Sequence, residues 1–171
     1  PAAGSAAAVP NLREDLASRG GMVAALPLPK EPRSLTLPDG TAYYGDLRDD
    51  LPHGTGRLVY RDGSIYVGSF REGQRAGHGV LELAGGWRFE GQFEDNRYDG
   101  LGEMIWPDGA TYVGEFQAGE RTGRGVYWWP NGAKYEGGFL AGEPHGIGTY
   151  FHPDGSAETG TWEKGQLVSA S

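Results

Sequence analysis

Asp108-Gly109-Ala110-Thr111-Tyr112-Val113-Gly114-Glu115-Phe116-Gln117-Ala118-Gly119 is the stretch whose reading decides the fold. An Asp-Gly pair is a strong hairpin-turn signal, because such turns need a positive φ that aspartate, asparagine and glycine tolerate. It is followed by Tyr-x-Gly-x-Phe. In a strand this alternation sets both rings and the intervening glycine on one face. Gly119 marks a second turn. Beyond it Gly123-Arg124-Gly125-Val126-Tyr127-Trp128-Trp129 forms another alternating run. The stretch therefore predicts strand, turn, strand, turn.

It is not unique in the chain. Asp39-Gly40, Asp62-Gly63, Gly85-Gly86, Asp108-Gly109, Asn131-Gly132 and Asp154-Gly155 recur every 23 residues with no insertion or deletion. One column holds Tyr43, Tyr66, Phe89, Tyr112, Tyr135 and Glu158, and another holds Leu47, Phe70, Phe93, Phe116, Phe139 and Trp162. Between them glycine is invariant across the units, from Gly45 and Gly68 to Gly160. A glycine inside a strand weakens it unless something must approach closely. Here it makes room for a ring of a neighbouring strand, so the rings form one aromatic stripe. The expected structural core is Tyr43, Tyr66, Phe70, Phe89, Phe93, Tyr112, Phe116, Tyr135, Phe139 and Trp162. The other face is mixed in polarity, as in an antiparallel sheet solvated on one side. Glu158 in the tyrosine column reads as the cap of a terminal unit, since end repeats are usually atypical.

The motifs Tyr66-Val67-Gly68-Ser69-Phe70-Arg71-Glu72-Gly73 and Tyr112-Val113-Gly114-Glu115-Phe116-Gln117-Ala118-Gly119, with the trailing Gly77-His78-Gly79 and Gly123-Arg124-Gly125, resemble MORN repeats. Choline-binding hairpin repeats have a shorter period and a different aromatic core. The resemblance implies a single-layer antiparallel sheet with a groove, and binding or scaffolding more often than catalysis. The expected fold is all-β, an elongated, twisted, single-layer sheet of tandem hairpins. Residues 39–171 would form it as five full repeats and a C-terminal half-repeat. Strands about 4.8 Å apart make it roughly 55 Å long.

Residues 1–38 differ in kind. They hold no aromatic residue and six of the 11 prolines. Pro1 to Pro10 reads as an alanine-rich linker. Asn11 and Glu14 resemble a helix start, and Gly20-Gly21 a stop, giving a short helix over 11–19. Leu12, Leu16, Met22, Val23, Leu26 and Leu28 are the apolar residues of this arm. They are expected to contact the aromatic sheet, in the same chain or in a neighbour, because a lone sheet layer otherwise lacks a second layer. A start at Pro1 without methionine fits removal of an upstream signal peptide or anchor, and fits truncation equally. Twelve arginines against three lysines lean towards a GC-rich, bacterial source. The compartment then leans to the periplasm or cell envelope, with the cytoplasm as the alternative.

Catalytic chemistry finds little to stand on. There is no cysteine in the chain. Gly-x-Gly never opens a helix as a nucleotide fingerprint does. His53 and His145 share a column four repeats apart, about 40 Å, too far to share a metal. Neither enzyme activity, nor a cofactor, nor a metal is expected. Trp106, Tyr127, Trp128, Trp129, Tyr150 and Phe151 stand out as a candidate partner-binding set, since tryptophan and tyrosine are enriched at binding hot spots. Trp128 and Trp129 must point to opposite faces. The leading expectation is a protein-interaction scaffold that takes a partner peptide or helix, or its own arm, in an aromatic groove. The alternative is a lipid or cell-envelope glycan module. Net charge is −8, and −9 within the repeats, which opposes nucleic acid and anionic lipid. Membrane association would need a missing N-terminal anchor or weak lipid contact. An exposed sheet edge in the C-terminal repeats suggests homodimer formation there.

Overall fold

The computed structural model describes residues 29–30 and 32–171. Among them, thirteen strands form one antiparallel sheet in strict chain order. They are β1 (Arg33–Thr36), β2 (Ala42–Arg48), β3 (Leu51–Val59), β4 (Ile65–Arg71), β5 (Gln74–Glu82), β6 (Arg88–Glu94), β7 (Arg97–Ile105), β8 (Thr111–Gln117), β9 (Glu120–Trp128), β10 (Lys134–Leu140), β11 (Glu143–Phe151), β12 (Ala157–Glu163) and β13 (Gln166–Ala170). The single-layer antiparallel sheet of tandem hairpins is as the sequence predicts. Two boundaries differ. β1 pairs with β2, Arg33 opposite Gly45 and Leu35 opposite Tyr43, so the sheet begins before Asp39. Leu35 and Leu37 pack on the aromatic core from that side. At the other end the sixth unit is a hairpin whose second strand has five residues, where β11 has nine. The helix expected over 11–19 lies outside the described residues.

The two kinds of turn exchange the roles that the sequence suggests. The Asp-Gly pair lies in a three-residue loop. Gly109 N–H donates to the Trp106 carbonyl at 2.9 Å, and Trp106 N–H donates to Ala110 O at 2.9 Å. Gly109 alone takes a positive φ, 89°. This is a type I turn followed by a left-handed residue. Pro107 suits it, because proline has no N–H to donate across a two-residue turn at Asp108-Gly109, yet Arg61 and Ala84 stand at the same position in units with the same turn, where Gly63 and Gly86 N–H donate to Tyr60 O and Leu83 O. The aspartate acts through its side chain, Asp108 Oδ1 accepting Ala110 N–H at 2.9 Å. The same bond forms at Asp39, Asp62, Asn131 and Asp154. The true two-residue turns are Glu72-Gly73, Ala118-Gly119, Ala141-Gly142 and their equivalents, where both residues have positive φ.

The core lies in one face of the sheet. Tyr66, Tyr112 and Tyr135 are fully buried. Each phenol lies flat along its own strand over the glycine pair. A Cβ placed on Gly79 would come within 2.3 Å of Tyr66 Oη, and one on Gly125 within 2.4 Å of Tyr112 Cε2. The hydroxyl reaches the strand bulge: Tyr66 Oη donates to Ser69 O at 3.0 Å, and Tyr112 Oη to Glu115 O at 3.0 Å. Neighbouring units interlock edge to face. Tyr43–Phe70, Tyr66–Phe93, Phe89–Phe116, Tyr112–Phe139 and Tyr135–Trp162 have centroids 4.9 to 5.3 Å apart. Such pairs add about 0.5–1.5 kcal/mol each beyond area burial. All ten predicted core rings belong to this cluster. Rings laid flat over bare backbone give one layer a dry interior of its own.

Candidate functional site

Beside the buried stripe, nearer the Asp-Gly turns, the same face carries a second row of rings. Trp106 and Trp129 come two residues before a turn pair, and Tyr127 and Tyr150 two residues earlier still. Strand alternation therefore sends all four to the aromatic face. They touch in succession: Trp106–Tyr127 5.3 Å, Tyr127–Trp129 4.6 Å and Trp129–Tyr150 5.4 Å. Trp87 extends the row, 5.5 Å from Trp106 and 40% exposed. These rings are only partly buried, so the row is a ladder open to solvent.

Four of the six expected binding residues thus form one surface and two do not. Trp128 packs on the opposite face against the buried pair Val113 and Val126. Phe151, on that face too, lies 4.2 Å under Lys134 Nζ, and Lys134 pairs with Glu136 at 3.0 Å. Alternation along β9 and β11 separates each from its neighbour, Trp129 or Tyr150. The opposite face is chiefly polar at its centre. Arg88 bonds Glu90 at 2.6 Å, and His78 Nε2 lies 3.8 Å from Glu90 Oε1. Burial lowers the His78 pKa, against the opposing pull of Glu90.

Trp87 was legible but missed. Its column holds Thr41, Ser64, Ala110 and Ala133 in other units, all buried and small. The third unit has Gly85 in the turn where its neighbours have aspartate or asparagine. Tryptophan in a column of small residues breaks the repeat where no turn geometry requires it.

Arg121 also escaped the sequence reading. Its guanidinium lies on the aromatic face, with Cζ 5.3 Å from the Trp106 and Tyr127 ring centroids, 5.6 Å from Tyr112 and 5.9 Å from Phe139. Nη2 donates to Gly142 O. Burial lowers its pKa, against the raising effect of Tyr127, Tyr112 and Glu143. Arg75 is held alike, 5.7 Å from Tyr66 and 5.3 Å from Phe93, with Nη2 donating to Asn96 O at 2.6 Å. Past Arg121, at the C-terminal end of the ladder, a cavity of about 540 Å³ opens over Tyr135 and Trp162. Glu143 and Glu158 stand at it. Glu158 is thus more than an end cap in position.

Among the described residues no three histidine, aspartate or glutamate side chains are grouped to hold a metal ion. No described helix is long and apolar enough to cross a membrane. The arm residues Leu12, Leu16, Met22, Val23, Leu26 and Leu28 lie outside the described residues.

No curated protein matches the chain in sequence. Three solved structures illustrate what the sheet is similar to. One is the SAS-4 (dCPAP) TCP domain in complex with a proline-rich motif of Ana2 (dSTIL) of Drosophila melanogaster. It is 16% identical with a TM-score of 0.44, over 82% of this chain and 86% of that one. Another is the wild-type TCP10 domain of Danio rerio CPAP in complex with a peptide of Danio rerio STIL. It is 18% identical with a TM-score of 0.44, over 78% of this chain and 61% of that one, so less than two thirds of that chain is spanned. The TCP10c domain of Drosophila melanogaster Sas-4 is 15% identical with a TM-score of 0.43, over 77% of this chain and 86% of that one. The MORN repeat model matches residues 43–65, 66–88, 89–111, 112–134 and 135–157, five consecutive units with no gap between them. Each unit starts at the ring that lies over the glycine pair, and the chain belongs to the MORN repeat family.

Proposed function

We propose that the chain is a protein-interaction module that holds a partner polypeptide along the aromatic face. The observation that carries this is the open ladder Trp87–Trp106–Tyr127–Trp129–Tyr150. Trp106, Tyr127, Trp129 and Tyr150 pack along the buried stripe on one side and keep part of their surface in solvent on the other. Rigid amphipathic rings offer large contact area at low entropic cost, as at binding hot spots. An extended chain laid across the strands would meet a ring at each step. Two of the similar sheets are in complex with peptides of their own partners; here the reading rests on this chain's ladder.

The test is selection of peptides from a displayed library on the full chain, followed by affinity measurement on variants. Trp106→Ala with Trp129→Ala should weaken the selected peptides at least tenfold with the circular dichroism unchanged. Trp128→Ala with Phe151→Ala should leave them unchanged. Equal loss from both pairs, or loss from the second alone, would place binding elsewhere and defeat the proposal.

A further inference from the structure

We propose that the cavity over Tyr135 and Trp162 receives an arginine side chain of the partner polypeptide. The inference rests on the peptide-binding reading for its biological ligand and names the chemistry that one subsite selects.

The repeat itself supplies the argument. Arg121 lies among Trp106, Tyr112, Tyr127 and Phe139 and donates to Gly142 O. Moved forward by one 23-residue period, these positions become Trp129, Tyr135, Tyr150, Trp162 and Gly165. All five line the cavity. The position equivalent to Arg121 is Pro144, which also lines it and carries no cation. The cavity is therefore an arginine slot whose arginine is missing from the chain. The rings still provide a cation–π surround. The turn carbonyl at Gly165 corresponds to the acceptor used by Arg121.

The column varies, with a buried Pro52 in the first unit and long side chains in the next three. Arg75 fills the slot in the second unit over Tyr66 and Phe93. Tyr98 fills it in the third, stacked on Phe89 at 4.0 Å. Charge favours a cationic occupant in the fifth. Glu143 and Glu158 line the cavity with Arg121, which is bonded to Gly142 O and faces Glu143, while Glu158 also lies 3.6 Å from His152 Nε2. Glu158 occupies the column where four units carry tyrosine and one phenylalanine, so a carboxylate stands where a ring would otherwise close the end of the face. A planar guanidinium suits the slot better than an ammonium, because it both stacks on rings and donates in plane.

The experiment is a titration of the full chain with Nα-acetyl-arginine methylamide, followed by two-dimensional amide and indole NMR. The lysine and norleucine counterparts serve as comparisons. Saturable shifts at Tyr135, Trp162 and Gly165, with affinity for arginine about tenfold above norleucine, are expected. Glu143→Gln with Glu158→Gln should weaken the arginine probe several-fold. Pro144→Arg should fill the slot from within, abolish the saturable shifts and raise Tm. If that variant fails to fold, the wild-type titration still decides. No saturable shift at these residues, or equal response to norleucine, overturns the inference. So does a folded Pro144→Arg variant that binds the probe undiminished. Selected peptides that need the ladder while the probe does not bind would leave the peptide reading standing and this subsite refuted. Probe binding with no ladder-dependent peptide would refute the peptide reading and leave the guanidinium slot.

Discussion

Tyr112 shows how much one residue carries. Its ring covers Gly114 and Gly125, and its hydroxyl donates to Glu115 O at 3.0 Å. The two contributions separate by mutation. Tyr112→Phe keeps the ring and loses one hydrogen bond, for about 0.5–1.5 kcal/mol by urea denaturation. Phe89 already does without that bond in the third unit. Gly125→Ala forces a methyl group to within 2.4 Å of Tyr112 Cε2, and should cost more, about 1–3 kcal/mol or beyond. Equal costs would mean that the ring does not rest on that glycine. Burial also pushes the phenol pKa of Tyr43 and Tyr135 from the ordinary value near 10 up to about 12, and that of Tyr66 and Tyr112 upward as well. The fold holds these protons more tightly than the unfolded chain does. Stability from this source is therefore complete below pH 10 and is lost as the pH rises through about 12. Phenolate formation at Tyr43 and Tyr135, read residue by residue by NMR, should accompany the loss of circular dichroism in that window. Ionisation of these two rings near pH 10 with the fold intact would contradict the burial of the stripe. The stripe was legible because tyrosine, glycine and phenylalanine recur in fixed columns. Arg121 was not, because its column is otherwise varied, only Arg75 sharing its type, and an arginine there gives no sign of which rings it will lie over.

At the scale of the element, each hairpin depends on two turns of different chemistry. Asp-Gly was legible as a turn but not as this kind of turn, since Pro107 and Arg61 precede the same three-residue geometry and no single residue type marks it. The reverse holds at Ala118-Gly119, which has weak turn residues yet forms the tight two-residue turn. Ala118 sits at φ 51°, a left-handed conformation that costs an alanine about 1 kcal/mol. Asparagine tolerates that region and would keep the bond from the 118 N–H to Asp99 Oδ2 at 3.0 Å. Ala118→Asn should therefore stabilise the protein by about 0.5–1 kcal/mol, seen as a higher urea midpoint at unchanged slope. A lower midpoint would show that the strain is absent or that the turn needs alanine for another reason. The first strand, β1, was not foreseen. Arg33 stands where later units have a strand glycine, Gly56 or Gly79, and only Leu35, 23 residues before Leu58, keeps a column of the repeat within the strand that pairs with β2.

Across the whole molecule the repeat makes a two-faced ribbon, and function follows from the difference between the faces. A buried stripe of rings lets one layer stand without a second, which frees the adjoining ladder for a partner. Alternation told in advance that Trp128 and Trp129 would part. The repeat column also sets Trp106 and Trp129 in one row, 23 residues apart, but Trp87, from another column, joins them only when units stack side by side. The five tryptophans of the chain report on both faces at once. Trp87 and Trp106 meet in the ladder, Trp129 continues it, and Trp162 lies beyond it over Tyr135, whereas Trp128 packs with Val113 and Val126 on the opposite face. Their indole N–H signals are the most direct test of the central claim, that the aromatic face is the binding face. On addition of a selected peptide, the Trp106 and Trp129 signals should shift saturably and that of Trp128 should stay in place. A saturable shift of Trp128 with Trp106 and Trp129 unmoved would contradict the account.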